Sequence, residues 1–222
     1  IGGMISKFTK KKFVYNLQDV FPDSLSNAKI CTKKSILYKL GRKIENFTYK
    51  NADLIITISE DMRENILRKG VKPEKICLIR NWVDTEKIFP ISRKDNSLFD
   101  ELHLERDKFY VTYAGNLGYA QGIEYIVETA RLLENNSDIN FIIFGNGSEE
   151  EKIKNLIQKY KLNNILLFPL QAAELISEVY SLGDLSIVSC RPGVGQAGMP
   201  SKTWSIMATG TGIIGFFDKN SE

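Results

Sequence analysis

The chain has one histidine and three cysteines, so it offers few imidazole or thiolate ligands. Cys31, Cys77 and Cys190 lie far apart and are odd in number. They make no metal-ligand spacing and no disulfide framework, which points to a reducing compartment. His103 sits in the charged stretch E-L-H-L-E-R and reads as a surface residue. Metal or triad chemistry built on histidine is therefore not expected, and no cluster of aspartates suited to magnesium is visible. No apolar run is long enough to span a bilayer, and no signal peptide is expected. A formal charge of +3 is too small to imply a nucleic-acid partner. The run G-x-x-x-x-G-K-[ST] does not occur, which removes a P-loop nucleotidase.

What is present is an ordinary globular composition, 43% hydrophobic and 26% charged. At 222 residues the chain can build one large domain or two small ones. β-Branched and aromatic runs alternate with helical patterns. Strands are expected at 12–17, 54–58, 76–79, 109–114, 139–144, 165–168, 185–189 and 211–216. Helices are expected at 33–50, 60–69, 121–134, 149–160, 172–181 and 201–209. Continuous apolar strands between amphipathic helices predict parallel sheets covered on both faces. Ser59 followed by Glu60 and Asp61 marks a helix start, and Gly70 its end. The stretch 84–107 holds Pro90 and many charges without a clear period, and reads as an irregular connection. Lys7, Lys10, Lys11 and Lys12 read either as a solvated loop or as a contact with an anionic membrane surface. The start at Ile1 and the end D-K-N-S-E after an apolar strand read as a piece of a longer protein. Processing would look the same.

Two glycine turns follow strands. Tyr113–Glu124, Y-A-G-N-L-G-Y-A-Q-G-I-E, reads as strand, glycine loop and helix start, a place where free amides and a partial positive charge can hold a phosphate. An ordinary tight turn is the plainer reading. Phe144–Glu150, F-G-N-G-S-E-E, invites a dinucleotide reading. Glu150 stands where the third glycine of that fingerprint belongs, so a nicotinamide dehydrogenase is disfavoured. The strongest constellation is Arg191–Gly210, R-P-G-V-G-Q-A-G-M-P-S-K-T-W-S-I-M-A-T-G. Its glycines precede Pro200 at a helix start, with Ser201 and Lys202 beside it. Amides, a hydroxyl and an ammonium can converge there on phosphate. A capped helix with a surface lysine would look the same.

The order G-N-L-G-x-x-Q-G-I-E, F-G-N-G, P-S-K and M-A-T-G resembles the nucleotide-binding domain of glycosyltransferase family four, which has the GT-B fold. V-Y-N-L-Q-D-V-F-P-D (Val14–Asp23), A-D-L-I-I-T-I-S-E (Ala52–Glu60) and I-R-N-W-V-D (Ile79–Asp84) occur in the order seen in that family. The resemblance covers nearly the whole chain and extends to bacterial enzymes building O-antigen or capsule, including N-acetylfucosamine transferases. It implies an α/β, GT-B-like protein with two Rossmann-like domains of parallel strands. Residues 1–80 would be an incomplete acceptor-side domain, 81–107 an interdomain connection, and 108–222 a nearly complete nucleotide-sugar domain truncated at its end.

The resemblance also implies site residues. Gly115, Asn116, Leu117, Gly118 and Gln121 would face the donor diphosphate, with Arg191, Gly198, Pro200, Ser201 and Lys202. Gly145, Leu170, Ser205 and Glu222 would lie near the base or ribose. Many members carry a basic pair where this chain has the neutral Asn116 and Gln121, and two glutamates where it has Ala197 and Ser205. Lys202 and Arg191 are then the expected substitutes for charge neutralisation. Asp19, in Q-D where many members have His-Asp, is the candidate acceptor-side carboxylate. Capping the Phe21-Pro22 turn is its rival role. The activity implied is transfer of a sugar, an N-acetyl-deoxyhexosamine, from a uridine diphosphate donor to a saccharide or lipid-linked saccharide. The configuration would be retained, with neither metal nor cofactor and with nucleotide-sugar as substrate. The setting implied is cytoplasmic, at the inner membrane face, without nucleic acid. A nucleotide-sugar epimerase of similar fold and a non-catalytic nucleotide-sugar-binding subunit remain the alternatives.

Overall fold

The computed structural model describes residues 1–27, 30–194 and 199–219. They form two compact units, one built on Ile1–Asn81 and the other on Trp82–Arg191 with Pro200–Phe217. Each is a Rossmann-like layering of helices on a parallel sheet, the pair of units that defines a GT-B protein, and the first is the smaller.

The first unit runs α1 (Gly2–Thr9), β1 (Val14–Leu17), α2 (Asp23–Asn27), α3 (Ile36–Asn51), β2 (Leu54–Thr57), α4 (Glu60–Arg68) and β3 (Ile76–Leu78). Its strands pair in parallel in the order β1-β2-β3. Leu17, Ile55, Met62 and Ile66 form its core. As expected, Ser59 caps α4 by accepting from the Met62 amide, and Gly70 ends the turn with φ of 88°. β1 starts two residues later than expected because Asp53 takes over there. Its carboxylate accepts from the Phe13 amide at 2.8 Å and pairs with Lys12 at 3.1 Å. The third helix likewise starts at Ile36, not Lys33, because Ser35 caps the Tyr38 amide. On α3 the inward residues are Gly41, Glu45 and Tyr49. Glu45 is satisfied by Arg42, by the Tyr49 hydroxyl at 2.7 Å and by Lys69 at 2.8 Å. Lys7 belongs to α1, which the sequence did not foretell. Two glycines near a helix start oppose helix formation. Packing decides otherwise, since Gly3 lies against Asn51 and Phe47 of α3.

The second unit runs α5 (Leu98–Glu101), β4 (Phe109–Ala114), α6 (Glu124–Leu132), β5 (Ile139–Phe144), α7 (Glu150–Tyr160), β6 (Ile165–Phe168), α8 (Ile176–Ser181), β7 (Leu185–Ser189), α9 (Lys202–Ala208) and β8 (Gly212–Phe216). The five parallel strands are ordered β6-β5-β4-β7-β8. Alternate side chains feed two cores. Val111, Tyr113, Phe141 and Ile143 meet Ile126, Val127 and Ile153 on one face. Tyr110, Ala114, Ile142 and Phe144 meet Val179, Tyr180 and Ile206 on the other. Strands apolar on both sides are what a doubly covered parallel sheet requires.

Two expectations change here. The stretch 84–107 is not merely irregular: Leu98 and Phe99 of α5 are buried in the second core, with Arg93 and Arg106 stacked over Phe99 at 5.3 and 4.9 Å. One apolar pair in a charged run carries no period. The helix expected from Gln121 begins at Glu124, because Gly122 takes a left-handed φ of 64° after the short turn Tyr119–Gln121. The start expected at Ala172 is likewise a short 3-10 turn before α8.

Candidate functional site

The chain leaves β4 for β5 on one side and later returns to β7 on the other. The carboxyl ends flanking such a reversal form the crevice where open α/β sheets take ligands. Four segments meet there: the turns after β4 and β5, the end of β7, and the start of α9.

The two glycine turns interlock. The Gly115 amide donates to the Phe144 carbonyl at 2.9 Å and the Leu117 amide to Asn146 at 2.8 Å, and the Glu149 amide returns to Leu117 at 2.8 Å. A β-carbon at Gly145 would overlap the Gly115 carbonyl oxygen. At Gly147, with φ of 155°, it would come within 2.6 Å of the Leu117 carbonyl and the Asn116 side chain. The second turn thus needs its glycines to seat the first. Leu117 is wholly buried beneath them.

Lys202, the first residue of α9, reaches back over this pair of turns. Its ammonium lies 3.8 Å from the centre of the Tyr113 ring. A β-carbon at Gly115, where φ is 144°, would stand 2.7 Å from the same nitrogen. That nitrogen is buried and has no hydrogen-bond partner among the described residues. Burial pushes its pKa down to about 8. The Tyr113 hydroxyl donates to the Asn116 carbonyl at 2.8 Å, so the ring that faces the ammonium is itself fixed. Nearby, the Gln121 side-chain oxygen is also buried, with no hydrogen-bond partner among the described residues. The Asn116 and Gln121 amides flank Gly118, each 2.8 Å from where a β-carbon would sit.

Arg191 is placed differently from expectation. Its guanidinium pairs with Glu124, its Nε donates to the Tyr119 carbonyl at 2.9 Å, and it stacks on the Tyr119 ring at 4.1 Å. The charge expected to face a diphosphate is neutralised within the protein. Glu124 also occupies the first turn of α6, so that helix start already carries an anion.

The other residues are more scattered. Ser201 precedes α9 without making a side-chain cap, and the Pro200 carbonyl accepts from Thr203 at 3.1 Å. The helix has seven residues. Ser205 is half-buried on it. Leu170, 52% exposed, lines a pocket of about 60 Å³ with Gly115, Gln171 and Tyr180. Gly198, Ala197 and Glu222 lie outside the described residues. Asp19 belongs to the first unit, just beyond β1. Desolvation raises its carboxyl pKa, opposed by hydrogen bonds from Ser24 and the Val20 amide. Among the described residues no three metal-binding side chains cluster, and no helix is long and apolar enough to cross a membrane. The contact roles of Tyr113, Glu124 and Ser189 were not legible in the sequence, because each resembles its ordinary strand or helix neighbours.

The model of glycosyl transferases group 1 matches residues 94–216, more than half of the chain and the segment that contains this crevice. The chain belongs to that family. The model of glycosyltransferase family 4 matches residues 4–87. Among relatives, the chain is 28% identical over 210 residues to WcaI of Escherichia coli (strain K12), provisionally assigned as a colanic acid biosynthesis glycosyl transferase. It is 29% identical over 213 residues to WbjE of Pseudomonas aeruginosa, a probable glycosyltransferase. These alignments cover 93% and 95% of this chain but 51% and 52% of the relatives, so the chain spans about half their length. The structure of Anabaena Alr3699/HepE in complex with UDP and glucose matches 96% of this chain and 55% of its own, with a TM-score of 0.78 and 16% identity. That likeness establishes the fold of this group 1 chain.

Proposed function

We propose that this chain carries the donor site of a glycosyltransferase that moves a sugar from a nucleotide-diphosphate donor to a saccharide acceptor. The observation that carries the reading is the Lys202 ammonium, buried above two interlocked glycine turns with no hydrogen-bond partner among the described residues. A buried, unpaired charge is costly unless a ligand supplies its partner. A diphosphate does so, and its negative charge grows as it departs from the sugar, so Lys202 acts on the transition state. The protein's own work is electrostatic and needs no resident cofactor.

The finer reading has a uridine diphosphate N-acetyl-deoxyhexosamine as donor, retention at the anomeric centre, and Asp19 orienting the acceptor. The raised carboxyl of Asp19 suits proton exchange with a hydroxyl. A lipid-linked acceptor at the inner face of a membrane, met by Lys7, Lys10, Lys11 and Lys12, completes it.

The test is calorimetric titration with UDP, beside GDP, ADP and NAD. Selective UDP binding that is lost in Lys202→Met is the expected result. Binding unchanged in that variant removes Lys202 from the site. In the complete protein, transfer from a UDP-sugar to a lipid-linked saccharide is expected. Epimerised donor formed without acceptor would mark an epimerase, and binding without turnover a non-catalytic subunit.

A further inference from the structure

The end of β7 grips the turn that follows β4 at three successive carbonyls. The Arg191 Nε donates to Tyr119 at 2.9 Å, the Arg191 amide to Ala120 at 2.7 Å, and the Ser189 hydroxyl to Gln121 at 2.8 Å. The Arg191 guanidinium also stacks on Tyr119 at 4.1 Å and lies 5.7 Å from the Tyr125 ring. It closes on Glu124, whose carboxylate Lys152 approaches at 3.6 Å from the first turn of α7. Arg191 and Glu124 side chains are only 16% and 19% exposed. A guanidinium with so many directed contacts is held in one geometry.

We propose that Arg191 is a positioning residue, which locks residues 118–124 in the shape that presents Gly118 and Gln121 to the donor and does not itself meet the diphosphate. The proposal rests on the donor-site reading above. Because a trans peptide points its amide opposite its carbonyl, anchoring the carbonyls of Tyr119 and Gln121 on β7 turns the next amides away from it. Arg191 at Tyr119 and Ala120, together with Ser189 at Gln121, therefore fixes the direction of the groups on the turn without touching what binds them.

Two measurements on the full chain test this, hydrogen exchange and UDP titration, using Arg191→Gln and Arg191→Lys. Expected in both variants is at least tenfold faster exchange of the amides in 118–124, with β5 unchanged, and about a tenfold loss of UDP affinity. Lysine should not rescue, because an ammonium cannot stack and fork as arginine does. Near-normal UDP affinity in Arg191→Lys would indicate a direct charge contact and overturn the proposal. So would unchanged exchange in 118–124, or acceleration that spreads to β5, which would indicate structural support alone. If the parent chain fails to bind UDP, the donor reading falls, while the exchange measurement still judges the lock.

Discussion

The Lys202 ammonium and the Tyr113 ring face each other at 3.8 Å, a cation over a π face that is the nearest thing to a counter-charge for this lysine among the described residues. Such a contact contributes about 2 kcal/mol when desolvated. The pair joins a helix start to a strand end across the crevice. It leaves the ammonium charged at neutral pH but close to losing its proton.

On the donor-site proposal, UDP binding and stability should depend on pH in opposite senses through Lys202. With a folded pKa of about 8 against 10.5 unperturbed, the folded chain binds fewer protons than the unfolded chain between those values. Stability relative to Lys202→Met should therefore rise with pH across that window, by about 3 kcal/mol. UDP affinity should fall above pH 8, by up to about tenfold per unit, as the ammonium discharges. Urea unfolding and titration between pH 7 and 10.5 check both. A flat affinity profile would separate Lys202 from the phosphates.

Gly145→Ala should be more damaging than a surface glycine change. Its methyl would overlap the Gly115 carbonyl oxygen, a backbone atom that cannot step aside. A loss of about 3 kcal/mol is expected from overpacking, with UDP binding weakened as Gly115 shifts. At Gly193 no described residue lies within 4 Å of a β-carbon, so the strain of its φ of 83° should dominate there. Parallel thermal melts of the two alanine variants compare them.

The first unit is held by a buried charge cluster. Lys69 meets Asp23 at 2.7 Å and Glu45 at 2.8 Å, with side-chain exposures of 12%, 14% and 4%. Lys69→Met leaves Asp23 without this cation and Glu45 with Arg42 as its remaining one, and should cost about 3 kcal/mol. The Asp23 carboxyl is desolvated, yet Lys69, Tyr38 and Asn65 hold its pKa below the usual value. Its contribution is present above the ordinary carboxylate range and lost as pH falls through the depressed folded value. Denaturant melts of parent and variant at pH 7 and pH 3 should converge toward the acid end.

The membrane reading predicts salt-sensitive binding to anionic vesicles. Replacing Lys7, Lys10, Lys11 and Lys12 together with alanine should remove several kcal/mol of attraction, at about 1 kcal/mol per lysine. Flotation with phosphatidylserine vesicles at low and high salt measures it. Equal binding to neutral vesicles would argue against a role for these charges.

Much of the second unit could be read directly from the chain. Phe109–Ala114, Ile139–Phe144, Ile165–Phe168 and Leu185–Ser189 are strands with the expected bounds, because short β-branched and aromatic runs between amphipathic segments admit little else. Lys202 beside a glycine turn was also legible. The start of α6 was not, since a left-handed Gly122 leaves no mark on hydrophobic period. Nor was α1, whose glycines argue against a helix until α3 is there to receive Gly3.

By itself the sequence determined local matters: the alternation of strand and helix, the glycines at strand ends, the Ser59 cap and the family motifs. Each depends on residues near one another in the chain. Tertiary structure alone decided what Arg191 and Lys202 meet. Two cations eleven positions apart look interchangeable as letters. Folding gives one a carboxylate partner at Glu124, 67 residues away, and leaves the other buried against Tyr113, 89 positions upstream. Desolvation and pairing are set by such distant neighbours, and they separate a desolvated lysine from an arginine already paired with a carboxylate.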